Sequence, residues 1–354
     1  MLRRDEPGWW YGPEDALLPR LLMPAAHLWG HIAERRFAGV VPFRAGVPVI
    51  CIGNFTAGGT GKTPLALHMA GVLGRLGRNP VFLTRGYGGR LAGPHRITPD
   101  QDTAADVGDE PLLLARQAPV MLARDRAAGA RAIVAAGGEQ QVIVMDDGLQ
   151  NPALAKDLTI AVVDGRRGIG NSRVIPAGPL RAPLAAQLTR ADAIVINQPA
   201  GDEAEPAAQA IAGRFKARFG GPVLMAKTGA AGETAWLKEK PVLAFAAIGA
   251  PQRFFGLLRS LGAEIVRETA FPDHHPFSDR EAAGLLAEAK AAGAQLVTTE
   301  KDWVRLSRDK RAQAELKAAA RPLAIQMRFA GHDAGRLEAL IEAALARHQA
   351  TVTG

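Results

Sequence analysis

Cysteine and aromatic residues are scarce in this sequence: one cysteine and two tyrosines occur among 354 residues, and aromatics make up 5%. A single thiol, Cys51, excludes an intramolecular disulfide framework and a cysteine-only zinc site, which suits a reducing compartment. Cys51 stands in an apolar run and reads as strand core rather than as a nucleophile. No uninterrupted apolar stretch of about 18–20 residues occurs, which argues against a bilayer-spanning helix. Met1-Leu2-Arg3-Arg4-Asp5-Glu6-Pro7 leads into no apolar run with a small-residue cleavage site, so no cleavable export signal is expected. Acidic residues are in the minority, 35 against 43 Lys+Arg, for a formal charge of +8. That balance favours anionic partners without choosing among nucleic acid, phospholipid headgroups and phosphorylated substrates. No nucleic-acid-binding motif accompanies it, so nucleic acid is not expected as a partner.

Apolar residues account for 47% of the chain, enough to bury one large α/β domain or two smaller ones. Near the start, Leu17, Leu18, Leu21, Leu22, Ala25, Leu28, Trp29 and Ile32 recur at helical spacing, interrupted by Arg20, His27 and His31. Trp9, Trp10 and Tyr11 precede this segment and Glu34, Arg35, Arg36 and Arg44 follow it. Two readings stand side by side: an amphipathic helix at an anionic membrane interface, or a helix packed on the domain and bent at Pro24.

Beyond it, short β-branched runs alternate with helical patterns, as in a parallel sheet covered on both faces. Strands are expected at Val47–Ile52, Val81–Thr84, Val120–Leu122, Val142–Met145, Thr159–Val163 and Ala193–Ile196. Helices are expected at Thr63–Leu76, Pro111–Ala115, Arg126–Ala136 and Pro206–Arg218. The alternation resumes with strands near Val242–Ala247, Glu264–Glu268, Gln295–Thr298 and Leu323–Met327, and helices near Gln252–Leu261, Asp279–Ala291 and Gly335–Ala346. A boundary is placed near Gly220, Gly221 and Pro222 or in the polar stretch Gly229–Lys240. The expected fold is α/β: a P-loop NTPase-like, mainly parallel sheet flanked by helices, with a smaller C-terminal α/β lobe and an N-terminal amphipathic helix. The N-terminal segment is placed at residues 1–45, the P-loop core at 46–225 and the C-terminal lobe at 226–354.

The most informative stretch runs from Val47 to Pro64. An apolar strand enters the turn Thr56-Ala57-Gly58-Gly59-Thr60-Gly61, followed by Lys62-Thr63 and an apolar-periodic helix, the context that a phosphate-binding loop requires. Glycine at 58, 59 and 61 lets backbone N–H groups curl around phosphate oxygens at a helix N-terminus. Lys62 is expected to reach the β- and γ-phosphates of ATP, and the Thr63 hydroxyl to ligate Mg²⁺. Thr56 stands where the usual motif begins with glycine, so the loop is a variant.

Phosphoryl transfer also needs acids. Gln141-Val142-Ile143-Val144-Met145-Asp146-Asp147-Gly148 is an apolar strand ending in two carboxylates, and Asp146 or Asp147 is expected to hold Mg²⁺ directly or through water. Asp109 in Gly108-Asp109-Glu110-Pro111 reads equally as a helix cap and as a base at the sheet's ligand-binding edge. Phe271-Pro272-Asp273-His274-His275-Pro276-Phe277 offers two adjacent histidines, too few ligands for zinc. Arg85 and Arg181 follow strands in glycine- and proline-rich loops and are suited to clamping anionic oxygens.

In order along the chain, Gly53 to Pro64, Thr84-Arg85-Gly86-Tyr87-Gly88-Gly89, Gly108 to Pro111, Asp146-Asp147-Gly148-Leu149-Gln150, Pro176-Ala177-Gly178-Pro179-Leu180-Arg181, Phe271 to His275 and Thr298-Thr299-Glu300-Lys301-Asp302 resemble the tetraacyldisaccharide 4′-kinase family of lipid A biosynthesis. The resemblance implies transfer of the ATP γ-phosphate to the 4′-hydroxyl of a tetraacylated disaccharide 1-phosphate, a lipid A precursor, forming lipid IVA. ATP and Mg²⁺ are the implied cofactors, and the cytoplasmic face of the bacterial inner membrane, with its phospholipid surface, is the implied place of work for a peripheral protein. It also implies Asp109 as catalytic base paired with His274. Lys62 and Arg126 then neutralise the γ-phosphate, and Arg181, Gln150 and Arg85 lie on the substrate side. Ala182 departs from the family's pattern, in which an acid often follows the arginine. Two rivals remain at this level: a soluble P-loop kinase of a small molecule, and a membrane-recruited ATPase switch. Asn197-Gln198-Pro199-Ala200 and Thr299-Glu300-Lys301-Asp302 both fail the guanine-recognition patterns of a GTP switch.

Overall fold

The computed structural model describes residues 6–13, 16–199 and 205–353. Two helices, α1 (Leu17–Leu21) and α2 (Met23–Arg35), precede β1 (Val49–Gly53), α3 (Lys62–Arg75), β2 (Asn79–Thr84), β3 (His95–Arg96), α4 (Ala104–Val107), α5 (Asp109–Leu114), β4 (Val120–Leu122), α6 (Arg126–Ala135), β5 (Gln141–Asp146), β6 (Leu158–Asp164), α7 (Leu184–Leu188), β7 (Ala193–Pro199), α8 (Glu205–Lys216) and β8 (Val223–Ala230). There follow β9 (Val242–Ala246), α9 (Pro251–Ser260), β10 (Ile265–Ala270), α10 (Asp279–Ala291), β11 (Gln295–Thr299), α11 (Glu300–Arg305), α12 (Arg311–Ala319), β12 (Arg321–Leu323), β13 (Ile325–Phe329) and α13 (Asp333–Thr353).

The larger sheet runs β13-β8-β7-β6-β1-β5-β2-β4-β3, parallel except at its two outermost pairs. All five residues of β1 are buried, because helices cover both faces of the sheet; a continuous apolar run such as Val49-Ile50-Cys51-Ile52 is what that position demands. Against one face α3 buries Leu65, Met69 and Leu73, and the core there extends to Leu337, Ile341 and Leu345 of α13. From β1 the chain steps to β2 on one side of the sheet, while β6, β7 and β8 lie on the other, so a crevice opens at the C-terminal ends of β1, β5 and β6. Such a switch point is where open α/β sheets bind ligands.

A smaller parallel sheet, β10-β9-β11-β12, encloses its own core around Phe245, Phe255 and Leu258. Three particulars differ from the sequence expectations. The single strand expected at Leu323–Met327 is two, β12 in the small sheet and β13 in the large one, with Ala324 as the crossing point. Residues 226–354 are therefore shared between the sheets, since β13 and α13 return to the larger one. Strand β8 is not among the expected strands: it runs from the Gly220-Gly221-Pro222 turn into the polar stretch that begins at Gly229, and its apolar run Val223-Leu224-Met225-Ala226 is too brief to stand out. The expected N-terminal helix is broken at Leu22, with Pro24 in the first turn of α2, where no backbone donor is needed.

Helix α2 docks through its small residues. Ala26 and Gly30 are buried, and a Cβ on Gly30 would come 3.3 Å from the Pro183 ring. The large apolar residues of the two helices face away: Leu17 and Leu21 of α1 and Leu28 of α2 are 73%, 68% and 64% exposed.

Candidate active site

The phosphate loop leaves β1 at Gly53 and enters α3 at Lys62. Gly61, the residue before the helix, has φ 101°, and a Cβ there would fall 2.2 Å from the amide nitrogen of Asn197. That nitrogen donates to the Thr60 carbonyl at 3.0 Å, and the Asn197 oxygen accepts from the Thr228 hydroxyl at 2.7 Å. Asparagine on β7 and threonine on β8 thus fix the loop from the neighbouring strands. Gly61→Ala is expected to lose about 1–3 kcal/mol of stability through its left-handed backbone and to weaken ATP binding; a thermal unfolding midpoint equal to wild type would disprove the assignment.

Lys62 is largely buried and lies 3.7 Å from Asp147 Oδ1. Asp147 itself adopts φ 51°, which turns its carboxylate toward the loop. Arg181 Nη1 donates to both oxygens of Asp147 at 2.8 and 3.0 Å, and its Nε donates to the Thr56 carbonyl at 3.0 Å. Gln150 donates to the Asn54 carbonyl at 2.8 Å and accepts from Arg181 at 3.3 Å. Two of the three residues expected on the substrate side, Arg181 and Gln150, are therefore engaged in bracing the phosphate loop. Burial works to raise the Asp147 pKa, but Lys62 and Arg181 overcome it and bring it down to about 2.

Asp146 behaves in the opposite way. Burial, reinforced by the charges of Glu110 and Asp147, pushes its carboxyl up to about 7, and its Oδ1 is buried without a hydrogen-bond partner. Arg126 lies behind it, buried at the start of α6, with Nη1 donating to the Ala123 carbonyl at 2.5 Å and Nη2 to the Asp146 carbonyl at 3.3 Å. Its Nε is likewise buried and unpartnered. Arg85, at the end of β2, is exposed and makes no hydrogen bond or ion pair among the described residues.

Asp109 opens α5 at the same sheet edge. The loop Gly86-Tyr87-Gly88-Gly89 lies so close to the turn before it that a Cβ on Gly89 would fall 2.5 Å from the Asp106 carbonyl oxygen, and one on Gly108 would fall 2.4 Å from that of Tyr87. The two glycine-bearing motifs thus fit into each other and set the entry to α5. Asp109 is 3% exposed. Its Oδ2 lies 3.2 Å from His274 Nδ1 and accepts from Arg305 Nη2, while Oδ1 accepts from the Glu110 amide at 3.0 Å. Burial opposes ionisation, yet the His274 hydrogen bond and the charges of Lys301 and Arg305 hold Asp109 well below the usual carboxylate range. His274 is correspondingly raised above 6.5, chiefly by that hydrogen bond.

Four neighbours of this pair were absent from the sequence-derived site. Arg305 joins Asp109 to Asp302, donating to Asp302 Oδ1 at 2.8 Å and to the Ala247 carbonyl at 3.1 Å. Lys301 pairs with Glu110, whose pKa is lowered first by that lysine's charge. Asp302 accepts from the Thr299 hydroxyl at 2.7 Å and from the Ala247 amide at 3.0 Å. The run Thr299-Glu300-Lys301-Asp302 was the available signal; its use is to dock the smaller sheet onto α5.

A glycine-rich loop between the central parallel strand and a helix, with an acid-ended neighbouring strand and a buried carboxylate at the same edge, defines a P-loop phosphotransferase. Residues 18–346 match the protein-family model described as Tetraacyldisaccharide-1-P 4′-kinase. The chain belongs to that family. It is 51% identical over 325 residues to the tetraacyldisaccharide 4′-kinase of Nitrobacter winogradskyi, covering 92% of this chain and 93% of that one. With the enzyme of the same name from Methylorubrum extorquens it shares 51% over 308 residues, 86% and 90% of the two chains. The crystal structure of "apo" form LpxK from Aquifex aeolicus in complex with ATP superposes with a TM-score of 0.72 at 25% identity, covering 93% of this chain and all of the other.

Proposed function

We propose that this chain is an ATP-dependent kinase that transfers the γ-phosphate to the 4′-hydroxyl of a tetraacyldisaccharide 1-phosphate, forming lipid IVA in lipid A biosynthesis. The observation that carries the reading is the placement of the phosphate loop and the Asp109–His274 pair at one sheet edge, in a chain of this family.

A sugar hydroxyl is a weak nucleophile, so the rate comes from alignment and from spreading charge on the transferred group. Loop amides and Lys62 hold the β- and γ-phosphates. The hydroxyl proton leaves late in a loose transition state and passes to the Asp109–His274 pair acting as one unit. Both Asp109 oxygens already accept hydrogen bonds, whereas the His274 side chain is 43% exposed, so the imidazole is the member that the hydroxyl reaches. Asp109 keeps the ring oriented and favours the imidazolium that forms as the proton is taken up. Arg181 and Gln150 hold the loop in register.

The site fits Mg²⁺. An unpartnered buried oxygen on Asp146, repelled by Glu110 and Asp147, is a group that a divalent cation relieves. Asp146 and Thr63 would hold the ion, and Asp147 would contribute through the Lys62 and Arg181 network; bound there, the cation supplies charge neutralisation of the phosphate oxygens. Without the ion, the raised Asp146 pKa opposes folding at neutral pH. Its stabilising share is complete below 3.8 and is lost as pH rises through about 7. Asp146→Asn is therefore expected to raise the metal-free unfolding midpoint by a few degrees at pH 8 and by much less at pH 4, while impairing catalysis. An equal shift at both pH values would refute the burial argument.

Acyl chains of the substrate stay in a membrane, and the exposed leucines of α1 and α2 supply the apolar surface that an interfacial protein needs. Among the described residues no helix is long and apolar enough to cross a bilayer. The proposed location is the cytoplasmic face of the inner membrane. Incubation with γ-labelled ATP, Mg²⁺ and the tetraacyldisaccharide 1-phosphate in mixed micelles tests the function: label is expected in the lipid. ATP hydrolysis with an unlabelled lipid would favour the ATPase switch instead.

A further inference from the structure

At the opposite, N-terminal edge of the large sheet, a strand's length from the phosphate loop, lies a cavity of about 350 Å³. Its walls come from the connection between α2 and β1 (Phe37, Val40, Pro42), from the segment before β6 (Asn151 to Lys156) and from the turn before β7 (Thr189, Arg190, Asp192). Two cations face it. Arg190 stacks over the Phe37 ring at 3.6 Å, and its Nη1 is buried with no hydrogen-bond partner. Lys156 Nζ donates only to the Asn151 carbonyl at 2.8 Å. Neither has a carboxylate at salt-bridge distance among the described residues. Asp192 is committed to the Thr159 amide at 2.7 Å, and Glu34 acts on Arg190 only from a distance. Burial, joined by the Arg190 charge, holds the Lys156 ammonium below the usual lysine range.

Two unneutralised cations around a buried, unsatisfied guanidinium donor call for an anion with several acceptor oxygens. The rim decides what carries that anion. Val40 is 41% exposed and Val41 beside it 91%, on the connection that follows α2, whose Leu28 and Ile32 are 64% and 42% exposed. An amphiphile satisfies both halves of this surface; a free inorganic anion satisfies only one.

We propose that this cavity binds the phosphate of an anionic phospholipid headgroup between Arg190 and Lys156, with the acyl chains passing over Val40 and Val41. The proposal deepens the membrane reading above and rests on it. It assigns the N-terminal sheet edge a lipid contact separate from the reaction centre, fixing the angle at which the chain lies on the bilayer. Headgroup phosphate replaces the missing partner of Arg190 Nη1, and the valines enter the hydrocarbon boundary.

The test is cosedimentation of the whole chain with vesicles of phosphatidylcholine alone and with vesicles that also contain phosphatidylglycerol. Wild type, Arg190→Gln and Arg190→Lys are compared with Arg35→Gln, the same charge change at an exposed position of α2. Wild type is expected to prefer the phosphatidylglycerol vesicles. Arg190→Gln should lose about fivefold or more on them and little on phosphatidylcholine, Arg190→Lys should recover part of the preference, and Arg35→Gln should lose less. Thermal unfolding and kinase activity in micelles report that each variant is folded. Equal losses in Arg190→Gln and Arg35→Gln would reduce the effect to diffuse surface attraction and overturn the site. Release by inorganic phosphate alone would make it a free-phosphate site and overturn the lipid assignment. Equal binding of wild type to both vesicles would overturn the headgroup site and leave the membrane reading intact; binding to neither would overturn both.

Discussion

Replacing Asp109 by asparagine is expected to lower kcat by about 10²–10⁴-fold, with the KM for ATP almost unchanged. The asparagine keeps the shape but has one acceptor oxygen, so it can accept from Arg305 or from the Glu110 amide and not from both; one hydrogen bond is lost together with the negative charge. That charge does two things. It orients the His274 ring through the 3.2 Å contact, and it favours the imidazolium that forms when the hydroxyl proton is taken up. Asp109 stays ionised across the working pH range because its folded pKa is depressed; its ion pairs stabilise the fold above the ordinary carboxylate pKa and are lost only in strong acid. The acid limb of the activity profile accordingly belongs to His274. Its pKa is raised, so activity is expected to fall as pH drops through a midpoint above 6.5, where the ring becomes protonated and cannot accept. Steady-state rates of wild type and His274→Gln across pH check this. An unchanged acid limb in His274→Gln would assign the proton to Asp109 alone, and an Asp109→Asn enzyme within about threefold of wild type would remove the pair from the mechanism.

Lys62→Ala is expected to reduce kcat by about 10²–10³-fold and to weaken ATP binding as well. The Lys62 side chain is 12% exposed at the head of α3, where loop amides and the helix N-terminus already favour phosphate. Its compact ammonium on a flexible stem can follow the γ-phosphate as charge develops on it. Arginine is not a substitute: its planar fork is larger, and Arg181 already occupies the far side of Asp147. The loss in Lys62→Arg should therefore approach that in Lys62→Ala. Removal of Lys62 leaves Asp147 paired with Arg181, so the fold should hold, and thermal unfolding can verify that the defect is catalytic. Near-normal turnover in Lys62→Ala would contradict the placement of phosphate on this loop.

Much of the arrangement was legible in the chain. The apolar run into Gly58-Gly59-Thr60-Gly61-Lys62-Thr63 and the strand ending at Asp146 are local patterns, and their elements begin and end within a few residues of expectation. Arg181 and Gln150 were recognisable as site residues from their motifs, but their engagement with Asp147, Thr56 and Asn54 depends on loops folding back over the sheet edge. The family resemblance implies that Arg126 faces phosphate; its position at the start of α6, which packs on β2 and β4, instead buries it behind Asp146.

By itself the sequence determined the parallel sheet, the phosphate loop and the two acids at the end of β5, because backbone conformation, glycine tolerance and the alternation of apolar runs are set by neighbours along the chain. Tertiary structure alone decided what surrounds Asp109. Arg305 stands 196 positions away and Lys301 is 191 positions from Glu110. Their meeting depends on how the smaller sheet docks on α5, and no local propensity encodes that. The split of Leu323–Met327 between two sheets has the same origin: residues of similar apolar character take different partners once the crossing at Ala324 fixes which edge each half can reach.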